Sequence, residues 1–215
     1  MAAMPAWHGA LRDIDRRAKR ITVPHMDELA RAEQDLVLID GRRIAARWLR
    51  AGDASAFAAF LEGLGQETRK FFGPHPLDEA EARRLCALQP EDGVRRIVAC
   101  DPQGRIVGYF ILELGLREED ATRYAARGQP LAAERCATLA PVVAEDYQNA
   151  RLAGALFPRI CEETRAAGRD RIVLMGGTQE RNGRAVRFYQ REGFEAHGRF
   201  EHPPGVWNID MSRAV

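Results

Sequence analysis

Lysine is nearly missing from this 215-residue chain: Lys19 and Lys70 stand alone among 32 basic residues, the rest being arginine. A GC-rich coding sequence produces that bias without any function, so no site is built on it. A charge excess is missing too. Lysine plus arginine (32) balances aspartate plus glutamate (31), and a net charge of +1 gives no global field to draw in nucleic acid or an anionic membrane, so neither is an expected partner. Any anion has to be met by a local group of atoms. Paired cysteines are absent as well: Cys86, Cys100, Cys136 and Cys161 lie far apart, with no C-x-x-C pair and no histidine at zinc-ligand spacing. They are expected as reduced, buried small hydrophobes, and no metal is expected. No apolar run approaches the ~18 to 20 residues that cross a bilayer, and the start, MAAMPAWHGALRDIDRR, has charge where a signal peptide needs apolar residues. The expectation is a soluble, cytoplasmic protein.

What is present is ordinary globular composition, 46% hydrophobic and 29% charged, over a length that suits one full domain with an appendage. Residues 1–35 are the expected appendage, an N-terminal helical extension. Leu11, Ile14, Ala18 and Ile21 share one stripe, Pro24 breaks it, and a second short helix runs from Asp27 to Gln34. The domain proper is expected over 36–215. It opens with a hairpin whose Asp40-Gly41 pair favours a tight turn, then a helix with Phe57, Phe60, Leu61 and Leu64 at helical spacing and Asp53 or Ser55 as cap. A second helix is expected from Asp78 to Leu88. The strands VRRIVAC and RIVGYFILEL flank Asp101-Pro102-Gln103-Gly104, a type I turn sequence. A polar stretch near 117–135 leads to a strand over 137–143 and then a helix ending near Gly168, with Pro158 as an internal conflict. A strand over 171–175, a loop, a helix capped by Asn182 and stopped by Gly193, and a last strand reaching Trp207 to Met211 complete the chain. This order predicts an α+β fold, a mixed, mostly antiparallel sheet flanked by helices with one strand-to-helix crossover near its middle.

The strand–loop–helix unit at 137–156 can hold an anion, because a helix N-terminus leaves amide N–H groups unpaired and bears about half a positive charge. The stretch from Val142 to Ala153, VVAEDYQNARLA, followed by Asn182, Ala185, Phe188-Tyr189 and Gly193-Phe194, resembles the GCN5-related N-acetyltransferase (GNAT) superfamily over about residues 42–213. The second motif, Asn-x-x-Ala-x-x-Phe-Tyr-x-x-x-Gly-Phe, is complete. The first, Gln/Arg-x-x-Gly-x-Gly/Ala, keeps Gln148 and Ala153 but has Arg151 where the family has its middle glycine. A glycine there lets the backbone approach a phosphate. The arginine either crowds that approach or turns outward and adds a charge-assisted contact, the preferred reading.

That resemblance implies a GNAT-type sheet and transfer of an acetyl group from acetyl-CoA, as cosubstrate, to a primary amine of a small molecule by direct attack. A protein-lysine acetyltransferase is the alternative, since the segment Gly52 to Phe72 is loosely similar to the early helices of the subgroup that contains bacterial enzymes of that type. A non-catalytic acyl-CoA sensor is a third reading, of a different class. The cofactor-binding residues implied are Val142 and Val143, whose backbone takes the pantetheine arm as an extra strand, and the cradle Gln148, Asn149, Ala150, Arg151, Leu152 and Ala153. Asn182 joins them and is also a helix cap. The catalytic pair implied is Glu113, as base for an amine whose free pKa is about 10.4, and Tyr189, as proton donor to the leaving thiolate. Phe71, Phe72 and His75 are the candidate substrate-binding residues, while His197 and His202 stay unassigned. The oligomeric state is open, and a homodimer is compatible with the sequence.

Overall fold

The computed structural model describes residues 33–88 and 93–215. The helices expected before Glu33 lie outside the described residues. From Gln34 the chain is strand: β1 (Gln34–Val37) and β2 (Arg43–Trp48) form the expected hairpin, which begins two residues ahead of the predicted boundary and takes Gln34 out of the second short helix. β3 (Val94–Cys100) and β4 (Ile106–Leu114) follow, joined by the Asp101–Gly104 turn, in which Gly104 N donates to the Asp101 carbonyl at 2.9 Å. With β5 (Cys136–Val143), β6 (Arg171–Leu174), β7 (Thr178–Gln179), β8 (Glu195–Glu201) and β9 (Trp207–Ala214) they make a nine-stranded sheet, ordered β1-β2-β3-β4-β5-β6-β9-β7 with β8 also on β9. Every pairing is antiparallel except that of β5 with β6, which run parallel and are connected by the crossover helix α5 (Leu152–Ala166). The fold is the mixed, mostly antiparallel one expected.

Alternation along the strands splits the core between the two faces. On one face Val98, Tyr109, Ile111 and Val142 pack under α1 (Ala54–Gly63), α2 (Gln66–Phe71) and α3 (Glu79–Ala87), with Phe57, Leu61, Ala82 and Leu85 facing inward. On the other, Ile97, Phe110, Leu112, Leu139 and Ile172 pack under α5 and α6 (Gly183–Arg191), which contribute Leu152, Leu156, Ile160 and Tyr189. Each such side chain removed from water is worth about 1.5–3 kcal/mol, so both helical layers are firmly attached. Asp78, where the second helix was expected to begin, caps α3 by accepting from Glu81 N at 2.8 Å. Asp53 precedes α1 without capping it, since its carboxylate is taken by Arg47 at 2.6 Å and by Arg50 N at 2.7 Å.

Two helices escape the sequence pattern. α2 is six residues long and buries only Thr68. α4 (Glu118–Ala126) occupies the polar stretch and is fixed by charge: Arg123 and Arg127 reach Asp210 of β9 at 3.0 and 2.5 Å, and Arg123 also pairs with Asp120 of its own helix. The long helix after β5 is divided. A 3-10 stretch over Glu145–Ala150 ends at Arg151, and α5 starts at Leu152 and absorbs Pro158 without ending. All four cysteines are free and buried, and burial pushes the Cys86 thiol up to about 11. Among the described residues no helix is long and apolar enough to cross a membrane.

Candidate active site

β5 and β6 run together only as far as Leu139 and Leu174, with Met175 N donating to the Leu139 carbonyl at 3.0 Å as the last rung. Beyond it the two part, because β5 continues to Val143 while the other chain turns through Gly176 and Gly177 into β7, which pairs with β9. Both glycines are left-handed, and a Cβ on Gly177 would stand 2.8 Å from the Ile209 carbonyl oxygen, so the turn demands glycine there. The parting leaves a wedge between residues 140–143 and 175–179. It opens into a cavity of about 740 Å³, ample for a cofactor-sized ligand.

Strand alternation fixes what the wedge offers. Leu139 turns its carbonyl to β6, and Ala144 donates to Val107 of β4 at 3.0 Å, so odd-numbered residues of β5 face the wedge and even-numbered ones face β4. The wedge edge is therefore the Pro141 carbonyl and the Val143 amide. The Val143 carbonyl is taken by Gln148 Nε2 at 2.9 Å.

At the mouth, Arg151 has φ +57° and ψ +30°, the only non-glycine residue with positive φ among the described residues. This left-handed residue ends the 3-10 stretch and aims α5 back along the wedge. Ala155 N is the first amide to bond within α5, to the Arg151 carbonyl at 3.0 Å. No side chain caps the helix, so the amides of Leu152, Ala153 and Gly154 remain for an anion. Arg151 and Arg184 line the same mouth, and neither guanidinium has an ion-pair partner among the described residues.

α2 lies across the wedge and is tied to both of its walls. Gly65 N donates to Glu145 Oε1 at 2.9 Å and Gln148 Nε2 donates to Thr68 Oγ1 at 3.0 Å, anchoring α2 to the segment after β5. Gln179 Nε2 donates to the Lys70 carbonyl at 2.9 Å, and Arg181 stands over the Phe71 ring at 5.6 Å, anchoring it to the β7 side. The wedge thus becomes a channel roofed by α2.

Tyr189, on the inner face of α6, lines this channel, its ring packed on Phe188 and Phe194 at 5.1 and 5.3 Å between centroids. Burial pushes its phenol pKa up, so it stays protonated. Its hydroxyl has no partner among the described residues.

The model of the Acetyltransferase (GNAT) family matches residues 57–194. The chain belongs to this family. A glucosamine 6-phosphate N-acetyltransferase of Trypanosoma brucei brucei is 27% identical over 152 residues, which are 70% of this chain and 90% of that protein. Among solved structures, the GNAT domain of S. lividans PAT superposes with a TM-score of 0.67 at 20% identity, covering 85% of this chain and 97% of that one. The ribosomal-protein-S5-alanine acetyltransferase of Vibrio fischeri does so with a TM-score of 0.65 at 13% identity, covering 85% and 96%. At those identities the two structures speak for the fold alone.

Set in this GNAT fold, the residues singled out from sequence divide. Val142, Val143, Gln148, Arg151, Ala153, Asn182, Tyr189, Phe71 and Phe72 all line the channel. Val142 does so by position, since its amide and carbonyl turn to β4. The Gln148 side chain is engaged with Thr68 and Val143, and Asn182 caps α6 through Ala185 N at 3.2 Å. Ala150 and Leu152 are core, and Asn149 is exposed beside the channel. Two of the residues stand elsewhere. Glu113 sits opposite Thr138 on the closed side of the wedge apex, paired with Arg117 at 3.0 Å, and does not line the channel. His75 is turned into the core against Phe72 and Tyr109, at 5.1 and 5.7 Å between ring centroids, with a side chain 6% exposed.

The carboxylates that do line the channel on the α2 face of the sheet are Glu119 and Asp120 of α4. Asp120 is buried, accepts from Gly176 N at 3.1 Å and from Arg123, and burial pushes its carboxyl pKa up. Glu119 is exposed, with no ion-pair partner among the described residues. The only sequence cue to either was the run Arg117-Glu118-Glu119-Asp120, which has no apolar periodicity to mark it as a helix.

Proposed function

We propose that this GNAT protein transfers an acetyl group from acetyl-CoA to the primary amine of a small molecule by direct attack. The observation that carries the reading is the roofed wedge, whose orphan amides at Leu152–Gly154 suit a pyrophosphate and whose lining includes Tyr189 and the carboxylates of α4. An extended arm running from that anion site toward the apex passes the Val143 amide, then the Pro141 carbonyl. The acceptor enters from the α2 face, between Phe71, Phe72 and α4.

The amine must lose a proton to attack, and Glu119, an exposed carboxylate that lines the channel, takes it through water in this reading. Asp120 holds the Gly176 amide and so positions the far wall of the wedge. Tyr189 supplies a protonated hydroxyl that can donate a hydrogen bond to the reacting group. The α2 roof favours a slender acceptor over the backbone of a folded protein, which supports a small amine rather than a protein lysine.

Thiol release from acetyl-CoA over a panel of primary amines tests this. Turnover with small amines supports the reading, whereas labelled lysines on protein substrates without small-amine turnover overturn it in favour of a protein acetyltransferase. Tight acetyl-CoA binding with neither would make the protein a sensor.

A further inference from the structure

A ligand laid along the open edge of β5 meets wedge-facing backbone at every second residue, so it encounters Leu139, Pro141 and Val143 in turn. Leu139 is committed to β6. Val143 has an amide to give, but it stands about 6.5–7 Å from Pro141, toward the phosphate end. Pro141, next to the apex, has no N–H. The opposite wall is spoken for as well: Met175 N donates to the Leu139 carbonyl at 3.0 Å, Gly176 N to Asp120 at 3.1 Å and Gly177 N to the Leu174 carbonyl at 3.1 Å. Acyl transfer builds negative charge on the carbonyl oxygen, and that charge needs a fixed donor. Apart from the Val143 amide, which stands toward the phosphate end, none of these main-chain amides is free to provide it.

The side chains narrow the choice to the hydroxyls of two channel-lining residues, Tyr189 and Thr178. Asn208 Nδ2 donates to the His202 and Val206 carbonyls at 2.7 and 3.1 Å, and Arg123 is held between Asp120 and Asp210. Tyr189 lines the channel, and its hydroxyl has no partner among the described residues.

We infer that Tyr189 donates the hydrogen bond to the acyl carbonyl oxygen, the place that Pro141 leaves without a main-chain donor. This rests on the acetyl-transfer reading above and moves Tyr189 from the leaving sulfur to the oxygen. As the amine nitrogen bonds to the carbonyl carbon, the C=O π pair moves onto oxygen, where the phenol O–H stabilises it. When that pair returns, the C–S bond breaks and the thiolate leaves with its electrons. The ammonium's proton goes to Glu119 through water before attack, the extra proton on the adduct nitrogen passes through water to the departing thiolate, and the phenol keeps its own.

Nuclear magnetic resonance of acetyl-CoA labelled with carbon-13 at the carbonyl reads this hydrogen bond on the full chain without any acceptor. The expected bound resonance lies downfield of free acetyl-CoA, returns toward the free position in Tyr189→Phe, and moves downfield again in Pro141→Ala/Tyr189→Phe, where residue 141 regains an N–H. Pro141 stands opposite Phe110 in the β4 register but turns its backbone hydrogen-bonding side to the wedge, so alanine there keeps the β4 ladder bonds and should lower the melting temperature only slightly, through the freer unfolded chain. With an accepted amine, kcat should fall about 10²–10³-fold in Tyr189→Phe and recover partly in the double variant. A downfield shift that survives Tyr189→Phe, or that Thr178→Val abolishes instead, overturns the inference alone. No bound resonance in the unmodified protein would count against acetyl-CoA use itself and so against both.

Discussion

Gln148 and Thr68 meet at the edge of the wedge, the glutamine side-chain amide donating to the threonine hydroxyl at 3.0 Å while it also donates to the Val143 carbonyl at 2.9 Å. One amide thereby joins the α2 roof to the strand along which a cofactor arm would lie. Thr68→Val removes only the roof bond, so stability should drop by about 0.5–1.5 kcal/mol and the acceptor KM should rise with little change in acetyl-CoA affinity. Gln148→Ala also frees the Val143 carbonyl and should weaken both. Thermal melts, acetyl-CoA titration and amine KM values together separate the two variants. Equal effects on acetyl-CoA would show that the roof is not an acceptor element.

Arg151 sets stability against affinity. A left-handed residue with a side chain costs about 1–2 kcal/mol, and its guanidinium stands free at the mouth beside three orphan amides. Arg151→Gly should therefore raise the melting temperature while weakening acetyl-CoA binding. Arg151→Glu should weaken binding by about 1.5–3 kcal/mol, the range for hydrogen bonds to charged groups, and by less at high salt because the residue is exposed. If Arg151→Gly binds tenfold more tightly instead, the side chain obstructs the phosphates.

Where apolar periodicity or turn chemistry dictates an element, the sequence was enough: the Asp101–Gly104 hairpin, the Asp78 and Asn182 caps and the β5–α5–β6 crossover stand where their residues imply. α4 was illegible because Asp210, the carboxylate that holds Arg123, lies 87 residues away and nothing local announces the pair. α2 was missed for a similar reason, since its tethers come from Glu145, Gln148 and Gln179. The motif glycine had been explained by close approach to phosphate, and the positive φ of Arg151 adds a second cause that sequence did not separate. Glu113 was assigned from the family resemblance, and only the register, which puts it opposite Thr138, shows that it falls outside the wedge.

The two carboxylate assignments can be separated directly. Glu113 is tied to Arg117 at 3.0 Å outside the channel, so Glu113→Gln should leave kcat/KM within a few-fold, with at most the small stability loss of a partly exposed ion pair. Glu119→Gln should lower kcat/KM at neutral pH by about 10²–10⁴, the usual contribution of a general base, and the deficit should shrink as pH approaches the amine's own pKa. A pH–rate profile for each variant checks this. The reverse pattern would return the base to Glu113.

His75 should make the fold sensitive to mild acid. Its Nδ1 lies 2.7 Å from the Pro76 carbonyl, which fixes the neutral ring with Nδ1 as donor, and its buried Nε2 has no hydrogen-bond partner among the described residues. Burial pushes the ring pKa below its ordinary value of 6.5, outweighing the nearby Glu81 carboxylate at 4.0 Å, while Arg84 and Arg96 push the same way as burial. The sign follows from linkage. Below 6.5 the unfolded chain takes up a proton that the folded chain refuses, so the contribution of His75 is fully present above 6.5 and is lost as pH falls toward the folded value. The loss is limited to about 1.4 kcal/mol for each pH unit between the two pKa values. His75→Gln should be less stable at pH 8, having lost the ring packing on Phe72 and Tyr109. Its melting temperature should nevertheless fall less steeply between pH 7 and pH 5 than that of the unmodified protein. Parallel melting curves across that interval would show that His75 is not the titrating group.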